Sequence, residues 1–231
     1  MYCMTFSSKS LIMRIYVIIV NLVAQIKYQS LCIYVENMTF EGTMAQASTL
    51  SDAQIKRAVR FCQTRRYVTR DTTILLLSLH TGLRAKEIAS LCIGDVYDEE
   101  GIPRTQFTLS KSQTKGSRTR VVFVNRQLTQ QLATYKAWRN STDAVAPLFA
   151  SQKGGGFSAN TMCQLFLNIY KACGLSDASS HSGRRTFITR LANAGVGVRV
   201  LAELAGHSSI AVTQRYIDVN DAQLASAVEL L

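Results

Sequence analysis

Residues 106–124, QFTLSKSQTKGSRTRVVFV, read differently from everything around them. Gln106–Leu109 and Arg120–Val124 are short runs rich in β-branched or aromatic side chains. Between them SKSQTKGSRT is polar, basic and broken by a glycine. Two extended runs around such a segment predict a β-hairpin with a long basic tip. On both sides of it the apolar residues recur at helical spacing. The fold class is therefore mainly α (α+β), with one small antiparallel sheet.

Upstream, Ser51 and Gln54 have the spacing of a capping box, and Leu50 with Ile55 that of a hydrophobic staple. Ile55, Ala58, Val59 and Cys62 then fall on one helical face. Asp71 is expected to cap a second helix running through Leu79, and Thr81-Gly82 to turn the chain into a third, Leu83–Cys92. Downstream, helices are predicted over 126–139, 158–173 (Ser158 cap, Gly174 stop), 183–194 (Gly195 stop), 197–205, 209–217 and 221–230. No internal repeat occurs, and Gly154-Gly155-Gly156 reads as a turn.

The chain has 231 residues, 47% of them hydrophobic and only two of them proline, which supports a packed core and excludes a disordered tail protein. Lys and Arg total 26 against 15 Asp and Glu, a formal charge of +11. Such a balance favours a polyanionic partner, nucleic acid before an anionic membrane. Of the 26 basic residues, 23 lie in 49–231, so the anion-attracting surface belongs there. Cys3, Cys32, Cys62, Cys92, Cys163 and Cys173 are scattered singly, without zinc-ligand spacing, and read as reduced small hydrophobes of a cytoplasmic protein.

Residues 1–48 are unlike the rest. Their apolar run, Leu11–Ala24, is interrupted by Arg14 and Asn21 and falls short of the roughly 20 apolar residues that a spanning helix needs. Three readings stand: a start codon upstream of a natural beginning at Met44, a packed accessory segment, or a membrane-associated one. The expected organisation is an atypical extension over 1–48 and one domain over 49–231.

Within 49–231 four short motifs carry chemistry. TGLRAKE places Arg84 at a helix start, with Glu87 three residues on, where a carboxylate can hold the guanidinium in one orientation. Lys115 sits in the hairpin tip. HSGRR brings His181 and Arg184 to the start of another helix, whose free N–H groups also favour an anion. In GHSSIAVTQRY, Gly206 ends a helix, and Tyr216 follows His207 by nine residues. Taken singly, each motif is compatible with a surface pair, a solubilising tip or core packing.

Together they supply what phosphoryl transfer needs: cationic donors for the non-bridging oxygens, an acid for the leaving oxygen and a nucleophile. A tyrosine hydroxyl is mostly protonated at neutral pH and requires a proton acceptor. No acidic cluster is placed to hold Mg²⁺, so no metal or other cofactor is expected, and the cations would be the protein's own.

The order TGLRAKE, a TKG hairpin lysine, HSGRR and GHSSIAVTQRY resembles the catalytic domain of the tyrosine recombinases (phage integrases), over about residues 49–231. The segment Leu91–Val96 is similar to the one that follows the family's first arginine. The resemblance implies a helical bundle with a small antiparallel sheet. It also implies a site-specific recombinase that integrates, excises or inverts DNA through a 3′-phosphotyrosyl intermediate formed by Tyr216. Arg84 and Arg184 would bind the non-bridging oxygens, and His207 would donate a further hydrogen bond. Lys115 would protonate the leaving 5′-oxygen, His181 would help manage the tyrosine proton, and Glu87 would orient Arg84 without touching substrate. The implied partners are double-stranded DNA, further copies of the chain (a tetramer on paired sites) and accessory DNA-bending proteins, with no small-molecule substrate.

Phosphate contacts are expected from Lys56, Arg57, Arg60, Arg65, Arg66 and Arg70 around the first helix, and from Lys111, Arg118 and Arg120 beside Lys115. Two departures from the family pattern stand out. Gly183 occupies the place of a common leucine. Residues 1–48 do not resemble the family's N-terminal DNA-clamping domain of about 80–100 residues. Two other readings predict no Tyr216 adduct or no need for paired sites: a silent DNA-binding integrase remnant, and a type IB topoisomerase-like DNA relaxer.

Overall fold

Ser51 opens the first helix as its sequence announces. In α1 (Asp52–Gln63) the Gln54 N–H donates to Ser51 Oγ at 3.3 Å, and the Ser51 N–H donates to Gln54 Oε1 at 2.8 Å. The computed structural model describes residues 47–114 and 119–217, together with 224, 225, 228 and 229. The extension up to residue 46, Lys115, Arg118 and most of the expected 221–230 helix lie outside the described residues. Ala58 and Cys62 of α1 are fully buried, with Ile55 and Val59 packed against the same core.

The centre of the fold is α2 (Val68–Thr81), buried on every side from Arg70 to Leu79 and packed by α1, by α5 (Arg126–Arg139) and by α7 (Ser182–Asn193). A helix surrounded in this way has no solvent stripe, so its polar residues need partners inside the protein. This explains why Asp71 is not a cap. It lies in the first turn of α2, fully buried, with its carboxylate 2.6 Å from Arg65 Nε and 2.8 Å from Arg70 Nη2. Arg70 in turn donates to the Ala150 carbonyl and lies over the rings of Tyr67 and Phe157. Arg70 therefore belongs to the core, and Arg65 is held by its carboxylate, rather than standing open for DNA.

The expected helix Leu83–Cys92 is shorter than its sequence suggests, α3 (Ala85–Ala89), and a second short helix, α4 (Ile93–Val96), follows beyond the expected end. The chain peels away between them because the Leu91 carbonyl accepts from the Leu148 N–H at 2.8 Å, and Asp95 caps the new start by accepting from the Cys92 N–H at 2.8 Å. Strands β1 (Gln106–Leu109) and β2 (Arg120–Phe123) pair antiparallel, with Phe107 opposite Val122 and Leu109 opposite Arg120. Side chains alternate across a strand. Phe107, Leu109, Arg120 and Val122 consequently face inward, while Val121 and Phe123 are exposed.

Asn125 caps α5 by accepting from the Leu128 N–H, and Ser158 caps α6 (Ala159–Ala172) in the same way through Thr161. After α7 come α8 (Val198–Ala205), packed on β2 and α7, and the short α9 (Ile210–Gln214). Gly183 stands where α7 meets α2: a Cβ there would lie 2.3 Å from Ser78 Oγ and 3.0 Å from Ser78 Cβ. A larger residue there requires Ser78 to turn its hydroxyl away or the helices to separate.

Cys62 and Cys173 are buried, Cys92 and Cys163 half-buried, and all four are free thiols, with burial pushing Cys62 up to about 12. Among the described residues no helix is long and apolar enough to cross a membrane.

Candidate active site

Arg84 is the residue before α3, and Glu87 is the third residue of that helix. The Glu87 carboxylate, its side chain only 1% exposed, accepts from Arg84 twice: from the backbone N–H at 2.9 Å and from Nη1 at 2.8 Å. The pairing expected from the three-residue spacing therefore forms, and it also anchors the first turn of α3. The Arg84 side chain is a quarter exposed and lines a cavity of about 770 Å³.

Arg120 reaches the same carboxylate from β2. Its Nη2 donates to Glu87 Oε2 at 2.9 Å and its Nη1 to the Leu204 carbonyl at 3.0 Å. Inward alternation with Val122 puts it there, so the phosphate-contacting place expected for it beside Lys111 is corrected. Arg120 is buried and lines the cavity, whereas Lys111 is exposed. The register of β2, read with Val122 as an inward residue, is the signal that could have found this.

Arg184, on α7, is 3% exposed. Its Nη1 donates to the Gly82 carbonyl at 2.8 Å, and its Nη2 is buried without a protein partner. Burial, then the Arg84 and Arg120 charges, push its guanidinium down to about 9, against the opposing pull of Glu87 and Tyr216; it remains cationic at neutral pH. Arg84, Arg120 and Arg184 thus face a single carboxylate. This leaves surplus positive charge and an unused donor where an anion would satisfy both.

His207 follows Gly206, the left-handed end of α8. Its Nδ1 is 2.8 Å from the hydroxyl of the buried Thr213. Burial, then Arg184, Arg84 and Arg120, push the imidazole down to about 4, so it is neutral at pH 7. In the tautomer where the Thr213 hydroxyl donates to Nδ1, the ring proton sits on Nε2, the atom left to donate to a ligand. No sequence signal pointed to Thr213.

Tyr216 lies just after α9, half-buried. Its ring is stacked on His207 at 5.7 Å between centroids with 19° between planes, and the Arg185 guanidinium lies 5.7 Å from its centroid. Its backbone is held at both ends of the peptide: the N–H donates to the Thr213 carbonyl at 2.9 Å, and the carbonyl accepts from Thr189 Oγ1 at 3.4 Å.

Arg84, Glu87, Arg184, His207 and Tyr216, chosen from three separate motifs, are brought together. His181 differs in setting: it is the exposed residue before α7, its Nδ1 3.4 Å from Ser180 Oγ. Thr114 and Thr119, the described residues on either side of the hairpin tip, both line the cavity. The limb before Thr114 is tied down by Gln113, whose Nε2 donates to Asp95 Oδ2 at 2.8 Å and to the Ser90 carbonyl at 3.1 Å. Lys56, Arg57 and Arg60 stand exposed on α1, with Arg57 donating to the Cys173 carbonyl.

Comparison with known proteins identifies the family. The chain is 28% identical over 155 residues to the tyrosine recombinase XerC of Pelobacter propionicus, a match covering 67% of this chain and 49% of that protein. The chain thus spans about half the length of that relative. The crystal structure of XerA recombinase superposes with a TM-score of 0.63 at 25% identity, covering 79% of this chain and 65% of XerA. The Tn1549 transposon integrase in complex with a circular intermediate DNA shares the fold, with a TM-score of 0.65 at 23% identity over 83% of this chain and 68% of the other. Residues 48–223 match the phage integrase family, and the chain belongs to it.

Proposed function

We propose that this protein is a site-specific DNA recombinase of the tyrosine type, which cuts and rejoins DNA through a 3′-phosphotyrosyl intermediate. The observation that carries the reading is the convergence of Tyr216, stacked on a neutral His207, with arginines that outnumber the one carboxylate among them.

In the reaction the Tyr216 oxygen attacks a DNA phosphorus and the bond from phosphorus to the 5′-oxygen breaks. Negative charge grows on the non-bridging oxygens as the phosphorus becomes five-coordinate. The fixed guanidinium groups of Arg84 and Arg184, with Nε2–H of His207, are oriented to receive it. Lys115, one residue beyond Thr114, supplies the proton that leaves with the 5′-oxygen, and His181 helps take the phenolic proton. The 5′-hydroxyl of a partner strand then attacks the phosphotyrosyl bond, restoring a diester and freeing Tyr216. One ester replaces another at each step, so no external energy source is consumed.

The proposal extends to double-stranded DNA as substrate, a tetramer on paired sites, DNA-bending accessory proteins and action in the cytoplasm. Residues 49–231 serve as the catalytic unit and 1–48 as an extension. Lys56, Arg57, Arg60, Lys111 and Arg118 contact phosphates. The Tn1549 integrase complex supports DNA as the ligand of this fold.

The test incubates the protein with a library of nicked duplexes, whose short cleaved strand diffuses away and traps the intermediate. Covalent adducts are then recovered under denaturing conditions. Adducts that disappear in Tyr216→Phe are expected. Retention of DNA by both proteins with no adduct would make this a silent DNA-binding remnant. Relaxation of supercoiled plasmid without paired sites would make it topoisomerase-like.

A further inference from the structure

We infer that Arg120 is a positioning residue that locks the Arg84–Glu87 pair to the loop carrying His207, so that both donors are set before DNA arrives. The inference rests on the proposed recombinase reading for its consequence in catalysis, although the lock itself belongs to the free protein.

Three observations converge on this side chain. Its fork is divided between two elements far apart in sequence: Nη2 goes to Glu87 of α3, and Nη1 to the Leu204 carbonyl in the last turn of α8. The first bond holds the carboxylate that orients Arg84. The second fixes the helix end from which His207 departs three residues later. Gly206, between Leu204 and His207, packs directly on the arginine stem: a Cβ there would lie 2.5 Å from Arg120 Cδ and 3.2 Å from Nε. Its φ of +63° is one that glycine adopts at no steric cost, so both the turn and the contact ask for the same residue.

Arg120 also has reason to be an arginine. A lysine carries the charge but presents one nitrogen, which cannot span two acceptors in a planar fork. Without either, Glu87 would keep only its bonds to Arg84, and the end of α8 would lose its tie to the sheet.

The test compares Arg120→Met, Arg120→Lys and the double variant Arg120→Met/Glu87→Gln on the duplexes recovered as adducts above. A residue acting through others should slow single-turnover adduct formation at saturating protein by about 10–100-fold, as removal of orienting partners does elsewhere. The affinity for the same duplex should change less than about threefold. Arg120→Lys should recover part of the rate, and the cost of Arg120→Met should shrink to under about threefold once Glu87→Gln is present, because the two act as one unit.

In the free protein, NMR should show the Arg84 Nε–H exchanging faster with solvent and the His207 ring signals shifted in Arg120→Met. If Arg120→Met does not fold, Arg120→Gln replaces it. The inference is overturned if the costs are additive. It is also overturned if affinity falls and the salt slope drops by about 0.9 with the saturated rate intact, which marks a direct phosphate contact. Unchanged Arg84 and His207 signals overturn it too. That last measurement decides the matter even if the wild-type protein forms no adduct, an outcome that would reject the recombinase reading alone.

Discussion

Two buried carboxylates, Asp71 and Glu87, are each gripped by two arginines, yet they serve opposite ends. At Asp71, Arg65 and Arg70 close on the carboxylate, and Tyr67, Phe157 and the Ala150 carbonyl cover what remains of Arg70. At Glu87, the partners Arg84 and Arg120 are joined by Arg184. Arg84 is a quarter exposed to a large cavity, and Arg184 Nη2 and Arg120 Nε have no protein partner. The first cluster is satisfied and closed; the second is left short of one anion. Both places pair a carboxylate with arginines, so what separates a strut from a binding site is unused donor capacity beside a cavity.

That contrast can be broken by substitution. The largest expected effect is at the closed cluster: Asp71→Asn leaves the buried Arg70 and the partly exposed Arg65 short of a counter-charge and should cost about 3–5 kcal/mol of stability in denaturant unfolding. Adduct formation per folded molecule should stay unchanged. Arg184→Lys should do the reverse, lowering adduct formation by about 100–1000-fold while moving the unfolding midpoint far less, since an unused donor aimed at developing charge serves the reaction. If Asp71→Asn slowed the reaction, or Arg184→Lys only unfolded the chain, the distinction would fail.

Smaller effects sharpen it. Gly183→Ala crowds Ser78 where α7 meets α2 and should destabilise by about 1–3 kcal/mol, as overpacking generally does. It also tests whether the site follows the helix that carries Arg184. Smallest is the contribution of His207 to acid sensitivity. Folding lowers its imidazole from 6.5 to about 4, through burial and then the three arginines. The unfolded chain therefore binds this proton more readily. The stability it contributes is complete above pH 6.5 and fades as pH falls toward 4. His207→Gln should flatten that portion of a stability–pH curve, and NMR titration of the ring should place its midpoint well below the ordinary histidine range.

Local signals were legible in the sequence where local chemistry decides the outcome. Ser51 with Gln54, Ser158, and the Arg84–Glu87 spacing describe contacts within one helical turn, and all of them form. Asp71 reads as a cap because a carboxylate near a helix start resembles one until tertiary packing surrounds it and supplies Arg65 and Arg70. The split between α3 and α4 depends on Leu148, over fifty residues away, and could not be read from Leu83–Cys92 itself. Arg120 was assigned to the surface by its basic neighbours, whereas its inward direction follows from strand register. Thr213 left no trace because its partner is a ring that the following turn swings back over it.

The bond from Arg184 to the Gly82 carbonyl has one more implication. That carbonyl lies two residues before Arg84, so side chains a hundred positions apart in the chain take their placement from a single turn. Loosening this turn would release both guanidinium groups together rather than weaken one of them. The affinity for an anion here should accordingly behave as an on-or-off property of the α2–α3 corner, and a bound phosphate should protect the amides of that corner and of the start of α7 from exchange as one unit.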